Sequence, residues 1–195
     1  MKIFCIGSNK TGTTSLSRAL SVLGYNVAPI NPVFVEQTNI LTDYLNGNYQ
    51  KLERLINNYD AFKDRPWNHK DFYRYLDYKY KDSKFILTTR DSGSWVKSYK
   101  SFAEKISLKK RWFYKMVSMD CYGVEDFLSH EDVMIDCYEN RNASIKEYFL
   151  NRHHDYISLD LCDDNKMIRL CNFLKLPLVE YKYPHLNRSV SGSLF

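Results

Sequence analysis

Near the start of the chain, Gly7-Ser8-Asn9-Lys10-Thr11-Gly12-Thr13-Thr14-Ser15 gathers two glycines, a lysine and a run of hydroxyl side chains. Between a strand and a helix, such a segment binds oxyanions. Successive backbone N–H groups around Gly12 and Thr13 form an anion-cradling nest, and the helix N-terminus adds positive potential. Lys10 adds a full charge, and the hydroxyls of Thr13, Thr14 and Ser15 add donors. The chemistry is that of a phosphate-type ligand. The Walker loop is excluded, because there four residues separate two glycines and Lys-Ser/Thr follows the second. Here Lys10 precedes Gly12, so it enters from the strand side of the turn.

A second group lies at residues 84–98. Lys84-Phe85-Ile86-Leu87-Thr88-Thr89 reads as a strand, with Arg90 at its C-terminal end. In an open α/β sheet that position faces the crevice where ligands bind. Ser98, about one helical turn past Ser94, reaches the same anion. The plainer alternative pairs Arg90 with Asp91 or Asp64 and turns Ser98 to water.

These residues need elements to hold them. Lys2 to Ile6 reads as a short buried strand, and Thr13 to Leu23 as a helix with Leu16, Ala19, Leu20 and Leu23 on one face and Gly24 as its C-cap. Asn26-Val27-Ala28 and Asp60-Ala61-Phe62 are candidate strands. Residues 33–59 read as punctuated helix, with Leu52, Leu55 and Ile56 forming a face. Asp71 caps a helix carrying Phe72, Tyr75 and Leu76. Further helices are expected over 94–106 and 142–151, and a strand over Tyr156–Leu161. Asp163 then caps a last helix with Met167, Ile168, Leu170, Cys171 and Leu174 as its apolar face. Helices alternating with four or five strands give a three-layer α/β/α fold around a parallel sheet. A single domain over 1–195 is expected, with residues 107–140 as a helical insert or acceptor-side cap.

Composition excludes several classes. The 195 residues are 44% hydrophobic and 26% charged, ordinary for a globular chain, so wholesale disorder is not expected. No apolar stretch approaches the roughly 18 residues that span a bilayer. Met1-Lys2 runs into an apolar segment too brief for a signal peptide, so a cytoplasmic protein is expected. The net charge of +5 is a mild bias towards anionic partners, and no nucleic-acid recognition module is visible. Five widely spaced cysteines without a CxxC pair indicate neither a zinc site nor a disulfide framework, and reduced, mostly buried thiols are expected. The 16 Tyr and 11 Phe read first as core. Trp67, Phe72, Tyr73 and Tyr75, with Trp112, Phe113 and Tyr114, are the alternative lining of an acceptor pocket.

Lys10-Thr11-Gly12-Thr13-Thr14 after an N-terminal strand resembles the 5′-phosphosulfate loop of the sulfotransferases that use 3′-phosphoadenosine 5′-phosphosulfate (PAPS). Arg90, with Ser98 eight residues on, is similar to that family's motif for the donor's 3′-phosphate. Phe62-Lys63-Asp64-Arg65-Pro66-Trp67 resembles the segment that supplies a carboxylate base, although the usual Ser/Thr before the proline is missing. Leu170-Cys171-Asn172-Phe173-Leu174 followed by Pro184-His185-Leu186-Asn187 is similar to the end of sulfotransferase-like domains. The resemblance implies in-line transfer of a sulfuryl group from PAPS to a hydroxyl or amine of a small-molecule or glycan acceptor. It implies donor binding by Asn9, Lys10, Thr11, Gly12, Thr13, Thr14, Ser15, Arg90 and Ser98, with Arg188 approaching the 3′-phosphate from the tail. Lys10 would stabilise the leaving phosphate and Asp64 would be the general base, with His69 as the alternative. No metal is implied. A P-loop-type kinase, or an inactive nucleotide-binding relative, shares the same opening unit.

Overall fold

Side chains alternate between two faces along short strands, and that alternation builds the layers. Ile3–Cys5 forms β1, Ala61–Phe62 β2, Lys84–Thr89 β3 and Tyr156–Asp160 β4. In the computed structural model these pair in the order β2-β1-β3-β4, all parallel. The structure describes residues 1–29, 42–43, 46–105, 115, 118–125 and 127–186. Phe4, Ile6, Phe62, Phe85 and Leu87 enter the core on one face of the sheet, and Ile3, Cys5, Ala61, Ile86 and Leu159 the core on the other. A sheet buried on both faces needs helices on both, and the described helices supply them.

Among the described residues, the helices that cover the sheet and the site are α1 (Thr13–Val22), α2 (Gln50–Asn58), α3 (Phe72–Lys79), α4 (Ser92–Glu104), α5 (Glu131–Tyr148) and α6 (Lys166–Leu174). Leu16, Ala19 and Leu20 of α1 and Met167, Leu170, Cys171 and Leu174 of α6 cover the Ile3–Cys5 side. Leu52 and Ile56 of α2, Phe72, Tyr73 and Leu76 of α3 and Ile145 of α5 cover the Phe4 side. Each fully buried side chain of this size contributes about 1.5–3 kcal/mol. A third cluster joins α4 to α5 through Trp95, Val96, Tyr99, Ala103, Met134 and Tyr138. No helix among the described residues is long and apolar enough to cross a membrane.

The expected α/β architecture and the Lys84–Thr89 strand are present as read, while other elements differ. Residues 26–28 contribute only a parallel bridge between Val27 and Ala61. The α4 helix begins at Ser92, because the Asp91 carboxylate accepts the Ser94 N–H and caps it there. The helix expected over 142–151 is the second half of α5, which starts at Glu131. Residues 131–140 form the first half of that helix, with Met134 and Tyr138 packed against α4, and most of 106–117 lies outside the described residues. On α6, Ile168 is 46% exposed and the buried stripe begins at Lys166. Asn165, not Asp163, is the N-cap, and Asp163 instead pairs with Arg169. Of the five free thiols, only Cys5 and Cys171 are buried. Trp67, Phe72 and Tyr73 are core residues, and Trp112, Phe113 and Tyr114 lie outside the described residues.

Candidate functional site

The chain leaves β1 for β2 on one side, and β3 lies on the other, so the sheet's switch point falls between β1 and β3. Ligands of open α/β sheets bind at the carboxyl ends of such strands. There the Gly7–Gly12 loop is held against β3. A Cβ at Gly7 would lie 2.1 Å from Thr88 Oγ1 and 2.6 Å from the Thr88 carbonyl oxygen, so only glycine fits. The Thr11 hydroxyl donates to the Ser8 carbonyl at 2.6 Å, which leaves Thr88 to donate to Thr11 Oγ1, also at 2.6 Å. Asn68 Nδ2 donates to Asn9 Oδ1 at 2.6 Å, and Trp95 Nε1 donates to the Asn9 carbonyl at 2.9 Å. The loop is thus clamped from β3, from the turn after β2 and from α4.

Lys10 and Gly12 both have positive φ, 71° and 94°, the left-handed conformations that turn successive N–H groups towards one concavity. Gly12 is the N-cap of α1 and supplies no capping side chain. The first helical bond runs from Leu16 N–H to the Gly12 carbonyl, so the N–H groups of Thr13, Thr14 and Ser15 have no intrahelical acceptor. Ser15 Oγ accepts the Leu186 N–H at 3.1 Å, bringing the C-terminal segment to the same helix end. Arg188 lies outside the described residues.

Cations gather here. Burial pushes the Lys10 ammonium below its ordinary pKa; the nearby Arg90 and Lys105 charges add to the effect, and Asp64 opposes it. Lys10 Nζ sits over the Phe102 ring, 4.8 Å from its centroid. Tyr138 clamps the Arg90 backbone: its hydroxyl accepts the Arg90 N–H at 3.0 Å and donates to the Arg90 carbonyl at 2.9 Å. Neither the Arg90 nor the Ser98 side chain has a hydrogen-bond or ion-pair partner among the described residues, and Asp91 is occupied as the cap of α4. Cationic side chains converging without a carboxylate partner suit a multiply charged anion.

Asp64 follows β2 in the left-handed conformation, φ 60°. Thr13 Oγ1 donates to Asp64 Oδ1 at 2.9 Å, and the buried Lys63 lies 3.4 Å from Oδ2. The carboxylate therefore touches the first residue of α1. His69 is placed differently. Its Nδ1 faces Arg65 Nη1 at 3.4 Å, a group that can only donate, so Nε2 carries the proton towards Asp120 at 3.3 Å. Burial, assisted by Arg65 and Lys70 against the opposing charge of Asp120, pushes the imidazole down to about 4. His69 is a neutral member of a buried network beside the loop, with no hydrogen bond to it.

Sequence reasoning passed over the network around His69. A cavity of about 350 Å³ is lined by Ser8 and Asn9 of the loop and by Arg65, Trp95, Tyr138 and Arg141, among others. His69, Asp120 and Cys121 bring one ligating atom each within 4.8 Å of the others. Arg65 Nη2 occupies the Cys121 sulfur at 3.2 Å and Lys70 the Asp120 carboxylate at 2.7 Å, so cations already fill positions a metal would need. The aromatic walls are Trp95, Tyr99, Tyr122 and Tyr138 rather than the cluster at 67–75. Arg141 was detectable, since it continues the buried stripe Met134, Tyr138, Ile145 at spacings of three and four, where a charge is out of place.

With the loop, the cations and the carboxylate at the switch point, comparison with known families is informative. Residues 2–191 match the family described as the sulfotransferase domain, and the chain belongs to that family. Its fold is that family's α/β type, and membership supports sulfuryl transfer as the class of chemistry. No curated protein matches the chain.

Proposed function

We propose that the protein is a PAPS-dependent sulfotransferase acting on a hydroxyl or amine of a small-molecule acceptor. The observation that carries this reading is the hydrogen bond from Thr13 to Asp64, which sets a candidate base against the same helix N-terminus that carries the anion loop. PAPS supplies an activated sulfuryl group: the acceptor's oxygen or nitrogen bonds to sulfur, the bond from sulfur to the 5′-phosphate oxygen breaks, and its electron pair stays on the phosphate.

The chain's residues divide that work. The N–H groups of Gly12 to Ser15 and the hydroxyl of Thr14 hold the 5′-phosphate. Lys10 neutralises charge developing on the departing phosphate, a preorganised contact of the kind that contributes most to such reactions. Arg90 and Ser98 take the 3′-phosphate, with Arg188 assigned to it from the tail. Asn9 and Thr11 fix the shape of the loop through Asn68, Trp95 and Thr88. Asp64, oriented by Thr13 and Lys63, accepts the acceptor's proton. The reading assigns the charge neutralisation to Lys10 and Arg90 and gives no role to a metal ion.

Isothermal titration with 3′-phosphoadenosine 5′-phosphate (PAP), beside ATP and with or without Mg²⁺, tests it. The expected result is metal-independent binding that prefers PAP over ATP and weakens at least about tenfold in Lys10→Ala. Preference for ATP with Mg²⁺ would replace this reading by a kinase.

A further inference from the structure

All three guanidinium nitrogens of Arg141 are buried, and none has a hydrogen-bond partner among the described residues. The electrostatic neighbours of that guanidinium include Tyr73, Cys121, Tyr122 and a second buried cation, Arg65. The carboxylate of this network, Asp120, is already engaged by Lys70 and His69. Two guanidinium groups thus line a cavity whose one other carboxylate among the described residues, Asp71, is exposed and lies beside Arg74, and a buried unpaired guanidinium is costly to keep without an anion.

The planar fork of a guanidinium matches the oxygens of a carboxylate or phosphate, and Arg is the residue suited to holding such groups in buried sites. The cavity, about 350 Å³, has the size of a metabolite site and shares Ser8 and Asn9 with the anion loop. Trp95 and Tyr138 give it flat apolar walls against which a ring or carbon skeleton packs. We propose that this cavity is the acceptor subsite and that the acceptor carries an oxyanion, a carboxylate or a phosphate monoester, held by Arg65 and Arg141. The inference rests on the sulfotransferase reading for the word acceptor, and on the arginine pair alone for the word oxyanion. Arg141 is here a binding residue, and Arg65 on the same cavity wall completes its grip.

The test uses the full chain with its donor site saturated by PAP, titrated separately with acetate and with inorganic phosphate. Saturable binding of at least one is expected, and the better binder names the kind of oxyanion. Arg141→Met should weaken that binding at least about tenfold while PAP affinity stays within about twofold. Arg141→Met should also raise the Tm of the unliganded protein by a few degrees, on the order of the gain from other replacements of costly site residues. Arg141→Lys should retain part of the anion binding. No saturable binding of either anion overturns the proposal, as does binding unchanged in Arg141→Met, or a Tm that falls in that variant. If PAP itself does not bind, the sulfotransferase reading fails separately. The anion titrations are then repeated in Lys10→Ala, where the loop is weakened and the arginine pair is intact.

Discussion

Thr13 Oγ1 donates to Asp64 Oδ1 at 2.9 Å, joining the first residue of α1 to the turn after β2. The two residues are far apart in sequence, one opening a helix and the other in the turn after a strand, and both lie at the carboxyl end of the sheet. The bond fixes one carboxylate oxygen, and Lys63 lies beside the other. A base held this way is preorganised, so removing its charge should damage turnover rather than donor binding. Asp64→Asn should lower kcat by about 10²–10⁴-fold and leave PAP affinity nearly unchanged. A parallel loss of PAP affinity would make Asp64 a binding residue instead.

Gly7→Ala should destabilise the fold by about 1–3 kcal/mol, as overpacking does. The added methyl would meet Thr88 Oγ1 at 2.1 Å and the Thr88 backbone at 2.6 Å, and backbone cannot step aside. Chemical denaturation of the two proteins measures it. Because the same contact seats the loop, PAP affinity should fall as well.

The fold was readable in the sequence wherever the signal was local. Lys84–Thr89 is a strand with the expected bounds because an apolar run ends in Thr-Thr-Arg-Asp. The anion loop occupies nine consecutive residues. Other elements depended on contacts that sequence spacing does not reveal. The start of α5 was missed because its first half buries only Met134 and Tyr138, too sparse an apolar stripe to read from spacing. The start of α4 was misplaced because Asp91, adjacent to the candidate ligand residue Arg90, turns out to be the cap. The cavity was illegible because Arg65, Cys121 and Arg141 come from three separate segments that only the tertiary fold assembles.

His69 makes stability depend on pH with a definite sign. Its folded pKa of about 4 lies below the ordinary value of 6.5, mainly through burial. Between those values the unfolded chain binds the extra proton, so stability is lost as pH falls from about 6.5 and the loss levels off below about 4. The expected loss is on the order of 1–3 kcal/mol. Urea titrations of wild type and His69→Gln across that range test it: the difference in stability between the two should shrink as the pH falls.

Tyr138→Phe removes a hydroxyl that both donates to and accepts from the Arg90 backbone. The ring's stacking on Trp95, centroids 4.3 Å apart, survives the change. The expected cost is about 1–3 kcal/mol from the two backbone groups left unpaired. PAP affinity should fall more than affinity for adenosine 5′-phosphate, because Arg90 is assigned to the 3′-phosphate. Equal losses for both nucleotides would remove Arg90 from that role.

The most direct measurement follows sulfur-labelled PAPS incubated with the protein and a protein-free extract of small hydroxylated and amino metabolites. The account predicts that label moves to one or a few anionic metabolites, and that the rate falls by about 10²–10³-fold in Lys10→Ala, as when a preorganised charge contact is lost. Label that stays on PAPS while PAP binds tightly, or transfer that persists unchanged in Lys10→Ala, would contradict it.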